Sequence, residues 1–273
     1  MSTQPHEIEH TESGASATHR HTHHLIYPTP LEALRSFLTL LVIAMFALTF
    51  ILQPFRIPSE SMERTLLVGD FLLVNKSIYG PPGHFAWLLP YRRVQHGDVV
   101  VFHFPLNPPE HVVKRVIALP GDRIHLTNGV VYLNGQRLTE PYAVDEPSWP
   151  DHFRDNFPAG TYTDPSVDTR WWEQMHQNIS GGDIIVPAGQ YFVMGDNRNH
   201  SRDSRYWGFV PRSAIVGRPF IIYFSLRSPS TTDLPSPARI AALPRQDDKL
   251  KHEGPLDKIA NFARWTRILR IVR

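Results

Sequence analysis

The feature that most constrains this chain is an uncharged apolar run near its N-terminus, Ser36 to Leu52 (SFLTLLVIAMFALTFIL). A membrane-spanning helix needs about 20 apolar residues, within a range of about 17 to 25. A cleaved leader would have a shorter apolar core followed by a small-residue site, whereas Gln53-Pro54-Phe55-Arg56 follows here. A buried helix of a soluble domain would show a polar stripe, and this run has none. We therefore predict a single N-terminal transmembrane helix over residues 31–54.

The residues before this run are polar and contain six of the fifteen histidines of the chain. They show no apolar period, so residues 1–30 are predicted to form a disordered tail. Histidine binds metals well, but a stable site needs a rigid outer shell that orients the ligands. No metal site is therefore expected in the tail.

After the apolar run, Gly-Asp pairs recur beside short apolar or alternating segments. Glycine supplies positive φ and aspartate accepts hydrogen bonds from turn amides, so these pairs indicate turns that bound strands. Asn128-Gly129 and Asn134-Gly135 are typical of two-residue hairpins. We predict a mainly β fold, an antiparallel, barrel-like domain over 55–226, with an inserted subdomain at about 140–182. The Gly-Asp pairs lie at 69–70, 97–98, 121–122, 182–183 and 195–196.

Bulk composition excludes several classes of protein. The chain has no cysteine, which rules out disulfides, thiol catalysis and cysteine zinc sites. The formal net charge of +2 gives no basis for nucleic-acid binding.

The C-terminal part is predicted to contain a proline-rich linker at 227–256 and a basic amphipathic helix at 257–273. Apolar residues in the last segment recur at helical spacing between arginines. Such a helix could lie on an anionic membrane surface or pack on the β domain, and the sequence does not decide between these alternatives.

Two residues suggest a chemistry. Ser61 lies in Arg56-Ile57-Pro58-Ser59-Glu60-Ser61-Met62, just past the apolar run. A serine hydroxyl is a poor nucleophile until a neighbouring base takes its proton, and no histidine here has an acidic companion at a recognisable spacing. Period-two alternation puts Lys114 on one strand face with Val112, Val116 and Ala118, where desolvation would lower its pKa. The alternative reading of Lys114 is a charge that protects an edge strand from aggregation.

Three segments carry a resemblance that bears on this choice. PSESM (58–62), HVVKRVIALPGD (111–122) and GDNRNHSRDSRYWG (195–208) follow one another behind a membrane run, and together they resemble bacterial type I signal peptidases. By this resemblance Ser61 is the nucleophile, Lys114 the general base, Ser201 the hydroxyl that orients the lysine, and Ser59 an oxyanion-hole donor. Asp203 and Arg205 correspond to a supporting ion pair.

The resemblance also implies a function and a location. The protein would be a serine endopeptidase that removes signal peptides from exported preproteins after small residues, as a monomer without metal or organic cofactor. It would sit in the cytoplasmic membrane, in contact with lipid, with the tail at 1–30 in the cytoplasm and the catalytic domain at 55–226 on the extracytoplasmic side. A peptidase specialised for one pilin or conjugation substrate, a non-catalytic tethered module of the same fold and a self-cleaving Ser-Lys regulator are the alternatives.

Two positions depart from the pattern of that family. Glu60 stands where glycine is usual, and Arg64 stands where proline is frequent. A carboxylate aimed at Lys114 would raise the pKa of the lysine and slow the reaction. We therefore predict that Glu60 faces solvent or pairs with Arg56 or Arg64.

Overall fold

The structure is a computed structural model, and it describes residues 29–79, 91–144, 148–149, 151–161, 164–227 and 262–272. The predicted disordered tail at 1–30 and the predicted linker at 227–256 lie almost wholly outside the described residues.

The apolar run forms helix α1, Pro30–Phe46, which continues into a π-helical turn at Ala47–Ile51. Together these 22 residues are long and apolar enough to cross a membrane, and no residue of α1 is buried. At 1.5 Å per residue they extend about 33 Å, close to the thickness of a hydrocarbon core. The helical run stops short of the predicted boundary at residue 54 because residues 52–54 already belong to the first strand.

In the part of the chain that the structure describes, thirteen strands make up two antiparallel sheets. In chain order they are β1 Leu52–Arg56, β2 Asp70–Asn75, β3 Val99–Phe104, β4 Asn107–Ala118, β5 Arg123–Thr127, β6 Val130–Leu133, β7 Gln136–Arg137, β8 Ile179–Ser180, β9 Asp183–Ile185, β10 Gln190–Met194, β11 Val210–Pro211, β12 Ile215–Ser225 and β13 Arg270–Ile271.

The larger sheet has the order β1-β2-β12-β3-β4-β10-β11, with β13 paired to β12. The smaller sheet has the order β7-β6-β5-β9-β8. These sheets confirm the prediction of a mainly β, antiparallel fold. Both orders are open paths, so the described strands form no closed barrel.

Local sequence signals explain much of this arrangement. Asn128 and Gly129 join β5 to β6 with φ of 50° and 78°, the two positive values that a type I′ hairpin requires. In β2 the burial alternates, with Leu72 and Val74 inside, because successive side chains of a strand point to opposite faces. The strand pattern of the sequence is thus carried directly into the fold.

The inserted segment at 140–182 contains two short helices, α2 His152–Asp155 and α3 Thr169–Gln177. Asp151 and Asp168 cap them by accepting hydrogen bonds from backbone amides of the first turn. Apolar side chains from this segment join the same buried cluster as residues of both sheets, so the segment packs into the main core of the β domain. The members that it contributes include Phe153, Phe157, Trp171 and Met175.

The prediction of an amphipathic helix at 257–273 was wrong for residues 263–272. Residues Trp265–Arg267 form a single 3-10 turn, and Arg270–Ile271 form β13 against β12. Between them Leu269 has φ of 63°, which a helix cannot accommodate. Hydrogen bonds to a strand and a buried ion pair replace the helical pattern, since tertiary contacts override a local period.

That ion pair fastens the C-terminal segment to the loop that follows Ser61. The Arg267 guanidinium donates to both carboxylate oxygens of Asp70, at 3.1 and 2.5 Å, and to the Thr65 carbonyl oxygen at 3.1 Å. Ser225 Oγ donates to Asp70 Oδ1 at 2.7 Å. Asp70 is completely buried. Val272 packs in a second buried cluster together with Met62, the neighbour of Ser61.

We predict that Arg267→Met lowers the free energy of unfolding by about 3 to 5 kcal/mol, because it leaves the buried Asp70 carboxylate without its cation. Chemical denaturation in detergent micelles measures this. The double variant Asp70→Asn/Arg267→Met should lose less than the single variant, since the uncompensated charge is gone. Arg137→Met, at an exposed position in β7, is the control, expected within about 0.5 kcal/mol of the original chain. Equal losses in Arg267→Met and Arg137→Met would contradict this account.

Candidate active site

Ser61 occupies a single 3-10 turn, Glu60–Met62, that comes shortly after the edge strand β1. Met62 is 1% exposed and packs with Ile57 and Leu66, so apolar burial on both sides of the serine fixes the turn. The Ser61 side chain is largely buried, with the residue 8% exposed. The local sequence thus presents one hydroxyl inward from a short, well-anchored turn.

Lys114 lies in β4, opposite Val100 of β3, and only 4% of its surface is exposed. Its Nζ is 2.5 Å from Ser61 Oγ, in a buried hydrogen bond. Burial lowers the pKa of Lys114 from its usual 10.5 to about 8, although the negative charges of Asp203 and Asp196 oppose this and the Arg205 charge assists it. An amine in this state accepts a proton near neutral pH far more readily than an exposed lysine.

Asp203 and Arg205 form the ion pair that the resemblance implied. Arg205 Nε and Nη2 each donate to one oxygen of Asp203 at 2.8 Å, and both residues are almost completely buried. Asp203 also caps the short helix α4, Ser204–Trp207. Although burial raises the pKa of Asp203, the charge and hydrogen bonds of Arg205 outweigh this and hold the pKa below its ordinary value. The pair therefore remains charged but balanced beside the lysine.

A second ion pair was missed at the level of sequence. Arg115, the neighbour of Lys114, donates from Nε and Nη2 to the two oxygens of Asp196, both at 2.7 Å. Thr65 Oγ1 donates to the same carboxylate at 2.5 Å, and the Arg115 guanidinium lies 4.0 Å from the ring centroid of Tyr142. Alternation along β4 suggested only that Arg115 faces away from Lys114, and no pattern in the sequence indicated its partner.

A third pair joins the inserted segment to the same region. Arg198 donates to both oxygens of Glu140, at 2.6 and 2.5 Å, and from Nε to the Gly195 carbonyl oxygen at 3.1 Å. The backbone N–H of Asn197 donates to the Ser61 carbonyl oxygen at 3.1 Å. The motif at 195–208 is therefore hydrogen-bonded directly to the backbone of the serine.

Ser201 is brought to the site, but it is not hydrogen-bonded to the lysine. The residue is 6% exposed, and its Oγ has no hydrogen-bond partner among the described residues. A Cβ added at Gly195 would overlap both Ser201 Oγ and the Ser61 carbonyl oxygen, so glycine at 195 permits this close approach. Ser201 thus lies next to the backbone of Ser61 with a free hydroxyl.

Ser59 is exposed and extended, with φ of −133° and ψ of 159°. As the N-cap of the Ser61 turn it makes no side-chain capping hydrogen bond. Its hydroxyl is on the same turn as Ser61 but is not part of the buried network.

The two departures from the family pattern also have structural counterparts. Within the part of the chain that the structure describes, the half-buried Glu60 carboxylate has no hydrogen-bond or ion-pair partner, so it contacts neither Lys114 nor the nearby arginines. Arg64 has φ of 77°. Proline is fixed near −65°, so a proline could not adopt this backbone conformation.

The site contains a hydroxyl, a desolvated amine and paired charges, which is the chemistry of nucleophilic attack with a lysine base. Across the described ranges, no cluster of three or more histidine, aspartate or glutamate side chains is arranged to hold a metal ion.

Comparisons with known proteins identify the family of the chain. Residues 31–224 match the family model described as signal peptidase, peptidase S26. Signal peptidase I of Pseudomonas aeruginosa is 34% identical over 232 residues, covering 79% of this chain and 80% of the relative. Signal peptidase I of Aquifex aeolicus is 36% identical over 231 residues, covering 72% and 84%.

A crystal structure of a signal peptidase I from Enterococcus faecalis is 27% identical and covers 46% of this chain and 97% of that one, with a TM-score of 0.30. The assignment therefore rests on the extent of the sequence matches. By those matches the chain belongs to the signal peptidase family, peptidase S26, and is a serine endopeptidase of the signal peptidase I type, which removes signal peptides.

Proposed function

We propose that Ser61 and Lys114 form the catalytic dyad of this peptidase, with Ser61 as nucleophile and Lys114 as general base. The observation that carries the proposal is the buried hydrogen bond of 2.5 Å between Lys114 Nζ and Ser61 Oγ. A base must reach the proton that it removes, and this distance lies at the short end of the usual range. The same hydrogen bond disfavours the alternative of a non-catalytic tethered module.

In the first half of the reaction, neutral Lys114 takes the proton of Ser61 Oγ as the oxygen attacks the scissile carbonyl carbon. The carbonyl oxygen becomes an oxyanion, which the Ser61 N–H and the Ser59 hydroxyl would stabilise. The ammonium of Lys114 then donates its proton to the leaving amine as the C–N bond breaks. The lack of any capping hydrogen bond at Ser59 leaves its hydroxyl able to donate to substrate.

In the second half, Lys114 removes a proton from a water molecule that attacks the ester. The ester bond breaks, Ser61 Oγ regains a proton and the carboxylic acid product leaves. We assign Ser201 as a positioning residue whose hydroxyl orients the amine of Lys114 during the reaction. Its hydroxyl is buried beside Ser61 and has no hydrogen-bond partner among the described residues, so it is available for this role. A hydroxyl can hold an amine without adding charge near it.

The substrate is expected to be an exported preprotein, cleaved after small residues. Its extended backbone would add to β1, a terminal strand of the larger sheet that leads toward Ser61. The apolar helix anchors the enzyme in the cytoplasmic membrane. One anchor and an extracytoplasmic site together require a cytosolic N-terminus, with the catalytic domain on the opposite side.

Ser61→Ala and Lys114→Met should both abolish cleavage of a synthetic preprotein by purified protein in detergent micelles. Removing the base alone should cost about 10² to 10⁴-fold in kcat/KM, the range that general-base catalysis contributes. Lys76→Met, which removes a half-buried lysine that donates to the Thr49 carbonyl oxygen, is the matched control and should retain activity. Circular dichroism should show that every variant is folded. Cleavage by a folded Ser61→Ala variant at the original rate would refute the dyad.

The pH dependence of cleavage should report the state of the lysine. Since only the neutral amine accepts a proton, kcat/KM should rise about tenfold per pH unit below about 8 and level off above it, where the Lys114 pKa lies. A pH-rate profile measures this. The control is the profile of Lys76→Met, which should be unchanged. A plateau that already begins at pH 6 would place the pKa of the base elsewhere.

Burial of Lys114 should also cost stability. Its folded-state pKa of about 8 is below the ordinary 10.5, so the unfolded chain binds more protons and stability rises with pH across that window. At pH 7 the burden is about 3 kcal/mol, at 1.36 kcal/mol per pKa unit. We expect Lys114→Met to be more stable than the original chain at pH 7 and to lose this advantage near pH 10. Denaturant unfolding at both pH values measures the difference. An unchanged difference between them would contradict the pKa assignment.

A further inference from the structure

A cavity of about 570 Å³ lies between the loop that follows Ser61 and the C-terminal segment. Its volume falls within the range of small-molecule sites, about 300 to 1,000 Å³. Neither Ser61 nor Lys114 lines it, so it is separate from the catalytic dyad. The lining residues are Arg64, Thr65, Tyr142, Ile222, Leu269, Arg270, Ile271 and Val272.

The polar part of this cavity is positively charged and uncompensated. Arg64 and Arg270 are exposed, and within the described ranges neither guanidinium has a hydrogen-bond or ion-pair partner. The two hydroxyl groups of the lining are already engaged, because Thr65 donates to Asp196 and Tyr142 donates to Glu140. No acidic residue is part of the lining. The cavity therefore favours an anion, and guanidinium groups bind phosphate oxygens well.

The backbone of the cavity is strained at the same places. Among the described residues, positive φ occurs at four that are not glycine. Two are the asparagines of tight hairpins, where this conformation is normal. The other two, Arg64 at 77° and Leu269 at 63°, both line the cavity. Such conformations cost about 1 to 3 kcal/mol each and cluster at ligand sites. Here one strained conformation occurs at Arg64 and the other at Leu269, directly beside Arg270.

The apolar part of the lining indicates that the ligand is an amphiphile. Ile222 and Val272 are buried, whereas Leu269 and Ile271 are 69% and 62% exposed. Apolar side chains beside the two guanidinium groups match a molecule with an anionic head and a hydrocarbon tail. The same chain carries a helix of membrane-spanning length, so the amphiphile that it meets is lipid.

We propose that this cavity binds the headgroup of an anionic phospholipid, with the phosphodiester held by Arg64 and Arg270 and the first part of the tails resting on Leu269 and Ile271. A zwitterionic lipid would bring a second cation toward the two guanidinium groups and should bind less well.

Occupancy of the cavity would be communicated to the catalytic region. Thr65 joins the lining to Asp196, which pairs with Arg115 beside Lys114, and Tyr142 stacks over Arg115. A bound lipid would hold the loop after Ser61 in the conformation that it has in this structure. This regulatory step rests on the proposed function, whereas lipid binding itself does not.

The test uses the full chain in nonionic detergent micelles. Isothermal titration calorimetry compares three probes: dihexanoyl phosphatidylglycerol, dihexanoyl phosphatidylcholine and inorganic phosphate. Phosphatidylglycerol should bind most tightly. Arg64→Gln and Arg270→Gln should each weaken it about fivefold, the effect of one basic residue near an anionic lipid surface. Arg137→Gln removes an exposed arginine of β7 and should leave the affinity unchanged.

Equal binding of the two lipids, or an equal effect of Arg137→Gln and Arg270→Gln, would overturn the lipid site. Binding of inorganic phosphate as tight as that of phosphatidylglycerol would show an anion site in which the tails take no part, and would overturn the assignment to lipid. A second measurement follows cleavage of a synthetic preprotein while phosphatidylglycerol is added. The rate should rise in the original chain and in Arg137→Gln, and less in Arg270→Gln. Lipid binding without cleavage by any form would count against the proposed function and leave the lipid site standing.

Discussion

The exclusion of water from one amine is the constraint on which this structure depends. Lys114 stands in a strand flanked on both sides by other strands of the larger sheet, β3 and β10. Burial lowers its pKa to about 8, and its hydrogen bond to Ser61 sits at the centre of the site. A protonated amine in this place would lack the water that stabilises charge. The fold thus trades stability for an amine whose pKa lies closer to neutral pH.

The charges around the amine are arranged so that they nearly cancel. Arg205 pairs with Asp203 and Arg115 pairs with Asp196, each through two hydrogen bonds. An unpaired carboxylate beside Lys114 would raise the pKa of the amine, and an unpaired guanidinium would lower that pKa further. Paired charges avoid both effects. They also fix the loop at 195–205, because each pair accepts only a narrow range of geometry.

The turn that bears Ser61 depends on parts of the chain that are distant in sequence. The backbone N–H of Asn197 donates a hydrogen bond to the Ser61 carbonyl oxygen. The Arg267 guanidinium donates hydrogen bonds to Asp70 and to the Thr65 carbonyl oxygen. The C-terminal segment therefore helps to hold the loop that follows Ser61. It also forms one wall of the cavity that we assign to an anionic lipid, which connects a membrane ligand to the same loop.

The sequence by itself determined the apolar helix and the antiparallel strands, and it led to the proposal of Ser61 and Lys114 as the catalytic pair. These follow from local patterns: an uncharged run of membrane length, period-two alternation, asparagine-glycine turns and three motifs in a fixed order. Only the tertiary structure decided the partners of the buried arginines. Arg115 and Asp196 lie 81 positions apart, and the sequence contains many other carboxylates that could equally be assigned to Arg115. It also turned the C-terminal segment from a helical pattern into a strand, since hydrogen bonds to β12 and the Arg267–Asp70 pair outweigh a local helical preference.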